Sequence, residues 1–266
     1  MQKFLLLVYR LVCKTGFLRT SLGQKLFYRF YFFYKQHYEA KNADYLQRFV
    51  VSGSSVIDVG ANAGFFTKKF AKWVSKDSKV FAVEPDRDNI KQLKSYLHTL
   101  MDRVVLVEGA AGNTNDVVRF ELDPYHPAGH KIVPPEKENS NDKKTEKQII
   151  EVNSYTIDEM LNLHNNLYSV ISLIKIDVQG AEKMVLEGAA RTIEKYAPAL
   201  FIEIDTKELN EFGTNENELF DLLYSMNYIP FYIDKKNKLQ EINIKVLEKI
   251  LEKEKYTDLL FLQKKK

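Results

Sequence analysis

The chain has 266 residues, of which 45% are hydrophobic and 28% charged, with a formal net charge of +3. That is the composition of a globular protein able to bury a large core, as one large domain or one domain plus an appendage. Its single cysteine, Cys13, excludes an internal disulfide framework and a multi-cysteine zinc site, and a cytoplasmic, reducing location fits.

The charge is unevenly spread. Residues 1–50 carry nine Lys or Arg and only Glu39 and Asp44 as acids, together with the aromatic run "FYRFYFFYKQHY" at 27–38. The opening "MQKFLLLVYRLVCK" is interrupted by Arg10 and Lys14 and shows no small-residue cleavage site, so it does not read as a signal peptide. It is too short and too charged for a spanning helix. Two readings stay open for residues 1–43. They form a basic, aromatic helical extension that packs on the main domain, or one that lies on an anionic membrane surface.

From Ser55 onward, short β-branched runs alternate with helical stretches. "SVIDV" leads to "GFFTKKFAKWVSK", and "KVFAVEP" to "DRDNIKQLKSYLHTL". After "RVVLVEGA" come "VISLIKIDV" with "GAEKMVLEGAARTIEKY", "ALFIEID" with "ENELFDLLYSMN", then "YIPFYID" and "DLLFLQ". This pattern predicts an α/β domain over 44–266, a doubly wound, mostly parallel sheet of seven strands covered on both faces. Ligands of such sheets bind beyond the carboxyl ends of the strands, where Asp58, Glu84, Glu108, Asp177 and Glu203 gather.

"VVRFEL" and "IIEVNSY" predict an inserted strand pair. Residues 123–148 between them hold four of the seven prolines and many charges, and read as a long flexible loop, either a lid or simply solvated. In "TIDEM", Thr156 stands three before Glu159, a capping box that opens a helix.

The stretch "VIDVGANAGFFT", 56–67, takes a strand through Gly60 and Gly64 into a helix. Such a turn aims backbone N–H groups and the positive helix end at a ligand. Glycine lets the ligand approach, and Asn62 tolerates a left-handed backbone. The spacing is neither the dinucleotide G-x-G-x-x-G nor a phosphate loop. Glu84, at the end of the second strand, can accept ribose hydroxyls. An acid for ribose, close-approach glycines and no phosphate motif point to an unphosphorylated nucleoside such as S-adenosylmethionine.

Three blocks, "VIDVGANAGFFT", "VFAVEPDRDNIKQLKSYL" and "LIKIDVQGAEKMVLEGA", resemble the FkbM family of class I S-adenosylmethionine-dependent methyltransferases. "SYTIDEML" and "DLLFLQK" agree with it, so the resemblance spans roughly residues 44–264. Gln179 departs from it, since the family more often has Glu there. The resemblance implies that Asp58, Gly60, Asn62, Ala63 and Gly64 form the loop under the methionine moiety and that Phe65 starts the helix. It implies that Glu84 holds the ribose beside Pro85 and Asp86, and that Glu108, Gly109 and Ala110 run along the adenine. It also implies hydroxyl acceptors on sugars, glycans, glycolipids or secondary metabolites.

Methyl transfer to a hydroxyl is assisted by a base. Asp177, at the end of the fourth strand, is the first candidate, followed by Glu182 in the next turn; each could instead only cap or compensate a helix. Lys175 shares a sheet face with Asp177 and suits an ion pair or a catalytic role. Glu203, Tyr125, His126 and His130 are candidates for contacting the acceptor. His37, His98 and His164 lie in amphipathic helical surroundings. Asp177 and Glu203 lack a convincingly spaced third ligand, so no metal is expected. Nor is nucleic acid, because no basic-aromatic groove is evident. Two rival readings are a nucleotide-cofactor oxidoreductase on a related sheet and a non-catalytic membrane-surface or scaffold protein.

Overall fold

The computed structural model describes residues 20–40, 42–123, 129–134 and 148–264. The first described element is helix α1 (Ser21–Tyr34), whose first turn is capped by Thr20 Oγ1 accepting from Gly23 N at 3.0 Å. A π-helical turn (Lys35–Glu39) and a 3₁₀ segment (Ala43–Phe49) follow. Then come β1 (Ser55–Val59), α2 (Phe65–Trp73), β2 (Val80–Glu84), α3 (Arg87–Tyr96) and β3 (Val104–Glu108). The inserted region holds β4 (Ala110–Ala111), β5 (Asp116–Leu122), β6 (Lys131–Ile132) and β7 (Gln148–Tyr155). After α4 (Ile157–Leu163) the alternation resumes with β8 (Ile171–Ile176), α5 (Glu182–Gly188), α6 (Ala190–Tyr196), β9 (Ala199–Ile204), α7 (Thr206–Glu211) and α8 (Glu216–Ser225). The chain closes with β10 (Tyr228–Ile233), β11 (Leu239–Glu241), α9 (Ile244–Leu251) and β12 (Thr257–Gln263).

The main sheet has the order β11-β10-β12-β9-β8-β1-β2-β3. Strands β3, β2, β1, β8 and β9 run parallel, while β12 inserts antiparallel between β9 and β10. The doubly wound fold is as expected, with eight strands in this sheet among the described residues rather than seven. The eighth, β11, is a three-residue edge strand hairpinned onto β10, too short and polar ("LQE") to show a period. The strand pair β5–β7 forms as read, but within a separate four-stranded sheet, β4-β7-β5-β6. The two-residue strands β4 and β6 lie below the length at which alternation is visible.

Two apolar layers sandwich the main sheet. Ile57, Phe81, Ile174 and Ile202 face one side, packed by α4, α5, α6 and α8. Val56, Val80, Ala82, Leu173 and Phe201 face the other, under α2, α3 and the 3₁₀ segment. By the two-residue period, Asp58, Glu84, Lys175, Asp177 and Glu203 share the second side, where the strands end. Phe32 of α1 stacks on Tyr96 with centroids 3.8 Å apart at 13°, so the N-terminal segment packs against this same layer. Thr156 accepts from Glu159 N at 3.1 Å, capping α4 as the sequence predicts.

Candidate active site

The ends of β1, β2, β8 and β9 open into a cavity of about 540 Å³. After β1 the backbone folds over β2, with Gly60 and Ala61 N–H both donating to Val83 O at 3.1 and 3.0 Å. Gly60 (φ 76°), Asn62 (φ 48°) and Gly64 (φ 90°) take left-handed conformations. The reason for the glycines differs from the sequence reading. A Cβ on Gly60 would lie 1.9 Å from the Asp177 carbonyl oxygen, and one on Gly64 would lie 2.8 Å from Leu97 Cδ1. The missing side chains therefore make room for β8 and α3. Gly60, Asn62, Ala63 and Phe65 line the cavity, whereas Gly64 lies behind its wall.

Asp58 also lies behind that wall. It is fully buried and accepts from Thr67 Oγ1 at 2.6 Å, while its Oδ1 has no hydrogen-bond partner among the described residues. Burial pushes its carboxyl up, against the pull of Lys175 and Thr67. Lys175 Nζ stands 3.7 Å from Asp58, donates to Asp177 Oδ2 at 3.1 Å and to Gly60 O at 3.2 Å, and sits 5.1 Å from the Phe66 ring centroid. Burial opposes the ammonium, but Asp177 and Asp58 keep it charged.

Glu84 faces the cavity and ties the turn after β1 to the start of α3. Its Oε2 accepts from Asn62 N at 2.7 Å; its Oε1 accepts from Asp86 N at 2.9 Å and Asn89 Nδ2 at 3.2 Å. A carboxylate offers about four lone-pair positions, so one acceptor position remains on Oε2 for a ligand hydroxyl. Burial pushes this carboxyl up to about 7 despite those bonds. Pro85 lines the cavity beside it. Asp86 instead caps α3 through Asp88 N at 3.0 Å and Asn89 N at 3.4 Å. Its Oδ2 is 3.4 Å from His130 Nδ1. Burial raises Asp86, but His130 and the cap bonds hold it below its ordinary value. His130 lines the cavity and contacts Asp123 O through Nε2 at 3.1 Å. Burial opposes its charge, yet Asp86 brings its pKa above the ordinary value.

Gly109 and Ala110 line the wall adjoining β2. Glu108 is not brought to it; its exposed carboxylate pairs with Lys94 at 3.0 Å. Tyr125 and His126 lie outside the described residues, as does most of 123–148.

At the far end, Asp177 and Glu203 both line the cavity. Gln179, at φ 56°, donates through Nε2 to Asp177 Oδ1 at 3.1 Å and to Glu203 Oε2 at 2.8 Å. Burial favours the neutral form of Asp177, but Lys175 outweighs it and holds the carboxyl well below the usual range. Glu203 moves the opposite way, pushed well up by burial and then by the charges of Asp177, Asp258 and Glu182. Glu182 is buried without lining the cavity. Its Oε1 accepts from Gly180 N at 3.1 Å and Val178 N at 3.3 Å, folding the turn before α5, and burial pushes it up to about 7.

Two parts of the site escaped the sequence reading as site residues. Tyr28, Tyr31 and Lys35 of the N-terminal segment form one wall, and burial raises the Tyr28 phenol, helped by nearby Tyr31, Asp86 and Glu84. The aromatic run was visible, but nothing local says which strands it covers. Lys131 of β6 pairs with Glu208 and, at 2.8 Å, with Glu211, fastening the small sheet to α7 at the cavity rim. Its partners lie nearly eighty residues away in sequence.

No curated protein matches the chain by sequence. Among solved structures, it is similar to a methyltransferase FkbM from Methylobacillus flagellatus, with 17% identity over 79% of this chain and a TM-score of 0.46; it spans 43% of that protein's length. An rRNA methylase from Streptococcus thermophilus shows 12% identity over 85% of this chain and 95% of its own, with a TM-score of 0.46. A Streptococcus mutans protein solved in complex with SAH shows 10% identity over 85% and 97%, again with a TM-score of 0.46. Residues 58–230, well over half of the chain, match the methyltransferase FkbM domain model. With that match over the turn and the strand-end acids described above, the chain belongs to the FkbM methyltransferase family.

Proposed function

We propose that this chain is an S-adenosylmethionine-dependent O-methyltransferase acting on a hydroxyl of a sugar, glycan, glycolipid or secondary metabolite. Glu84 carries the reading: a buried carboxylate at the end of β2 with one acceptor position left on Oε2, facing the cavity. Beside it, Gly109 and Ala110 line the wall on which the adenine would lie, and the Gly60–Ala63 backbone would cradle the amino-acid tail. When bound, the cofactor supplies an electrophilic methyl group on a sulfonium, which becomes a neutral thioether once an acceptor oxygen takes the methyl. The chain's own work is to orient the acceptor, exclude water and receive the hydroxyl proton. Asp177 receives that proton at the far end of the cavity. Lys175 keeps Asp177 ionised and aimed. Glu182 shapes the turn that carries them. Glu203 and His130 contact the acceptor.

A lipid-linked acceptor is the finer reading. Leu26, Phe30 and Phe33 form an exposed stripe on α1, and Phe30 also lines the cavity, so the cavity mouth is continuous with an apolar surface. Residues 21–35 contain Lys25, Arg29 and Lys35 and no acid, which suits an anionic lipid surface. Among the described residues no helix is long and apolar enough to cross a membrane. The test is transfer of tritiated methyl from S-adenosylmethionine into a cell extract, fractionated into lipid, glycan, protein and small molecules. Label in lipid or glycan fractions supports the reading. Label confined to protein, or none, sinks it. Flotation with phosphatidylglycerol vesicles checks the surface, since Phe30→Ser with Phe33→Ser should abolish binding.

A further inference from the structure

We infer that Gln179 is a positioning residue for the acid–base pair of the site: one side-chain amide nitrogen, donating to Asp177 and Glu203 at once, holds the two carboxyls together over a single shared proton. The role in catalysis rests on the methyl-transfer reading; the clamp itself does not.

The geometry argues this directly. Asp177 and Glu203 end the adjacent strands β8 and β9 on the same sheet face, both toward the cavity. Both carboxyls accept from one amide nitrogen, at 3.1 and 2.8 Å, and two ionised carboxylates so placed repel, which favours a pair holding one proton. Lys175, ion-paired with Asp177 and not with Glu203, decides which partner keeps the charge. Lys175 thus draws Asp177 toward the ionised form, while burial and the neighbouring acids push Glu203 toward the protonated one. Among the described residues, the other charged groups that act most strongly around the pair are Lys35 from the N-terminal segment, Asp58 on β1, Glu182 at the start of α5 and Asp258 on β12. All but Lys35 are acids, which reinforces retention of the proton on Glu203. A neutral amide can bridge here without adding a negative charge; a carboxylate at 179 would be a further one. The left-handed backbone at Gln179 is the strained conformation that aims this side chain back between the strands.

In the reaction, the acceptor hydroxyl proton passes to Asp177 as the oxygen is methylated. The Glu203 proton stays where it is, so the pair passes from one negative charge to none as Asp177 takes the proton. Proton release to water after product departure restores the starting state, so no other reactant is needed.

The test is carboxyl titration by NMR of the full chain with ¹³C-labelled Asp and Glu side chains, Glu203 being assigned by loss of its signal in Glu203→Gln. It needs neither donor nor acceptor, so its failure would leave the methyl-transfer reading standing. In the unaltered protein Glu203 should be protonated at pH 7 and Asp177 ionised down to strongly acid pH. Gln179→Glu, which adds a like charge, should raise the Glu203 midpoint by about one pH unit or more. Gln179→Met, which keeps the volume and loses the donor, should broaden or displace both titrations. Asp177→Asn should bring the Glu203 midpoint down, a result available even where a Gln179 variant fails to fold. A merely structural Gln179 would lower the melting temperature and leave both titrations unmoved; that outcome, or a Glu203 ionised at pH 7 in the unaltered protein, overturns the inference.

Discussion

Lys175 and Asp177 form an ion pair at 3.1 Å, on a lysine whose side chain is 3% exposed. The same ammonium stands 3.7 Å from Asp58, whose Oδ1 has no hydrogen-bond partner among the described residues. Removing it would leave two carboxylates at the centre of the sheet without their cation. Breaking one side of a buried pair typically costs about 3–5 kcal/mol. Lys175→Met should therefore lower unfolding stability by about that amount in urea titrations. A loss below about 1 kcal/mol would show that Lys175 is not the electrostatic centre of the site.

The glycines give a ranked prediction. Gly60→Ala drives a Cβ into the Asp177 carbonyl, which belongs to backbone and cannot yield. It should cost more than about 4 kcal/mol or prevent folding. Gly64→Ala meets the flexible Leu97 side chain in a left-handed conformation, for about 2–4 kcal/mol. Gly53→Ala, also left-handed but in open space, should cost about 1–2 kcal/mol. Thermal melting of the three variants checks the order; equal effects would contradict the packing account.

Stability should fall as pH rises from about 4.5 to 7. Glu84 and Glu182 are both pushed up to about 7 by burial, Glu203 is raised as well, and Asp86 raises His130. Each binds its proton more tightly in the fold than in the unfolded chain, so folding takes up protons across this window and deprotonation costs stability. Asp86 and Asp177, shifted the other way, lose their contribution only in acid below it. The melting temperature should decline between pH 5 and 7.5, and Glu182→Gln should flatten the decline. A melting temperature rising across that range would refute the assignment.

Long β-branched runs made the parallel strands legible, and "GANAG" made the first turn legible, because each depends on local backbone chemistry. Thr156 was legible as a cap for the same reason. The insert's short strands β4 and β6, the edge strand β11 and helix α7 were not, since their pairing is decided by distant partners such as Lys131 with Glu208 and Glu211. Carboxylates at strand ends could be listed from the sequence, but not the directions of their side chains. Glu108 and Glu84 stand in register on β3 and β2, yet one points to solvent and Lys94 while the other faces the cavity. The run "GAEKMVLEGAARTIEKY" reads as one helix but breaks at Ala189, where Gly188 packs against the Gly112 carbonyl.

Donor binding tests the account most directly, measured by isothermal calorimetry with S-adenosylhomocysteine on the full chain and on Glu84→Gln. The unaltered protein should bind one equivalent. The variant, losing a hydrogen bond to a charged group worth about 1.5–3 kcal/mol, should bind at least about tenfold more weakly. No binding by the unaltered protein, or equal affinity in the two, would contradict the claim that the end of β2 holds the ribose of the methyl donor.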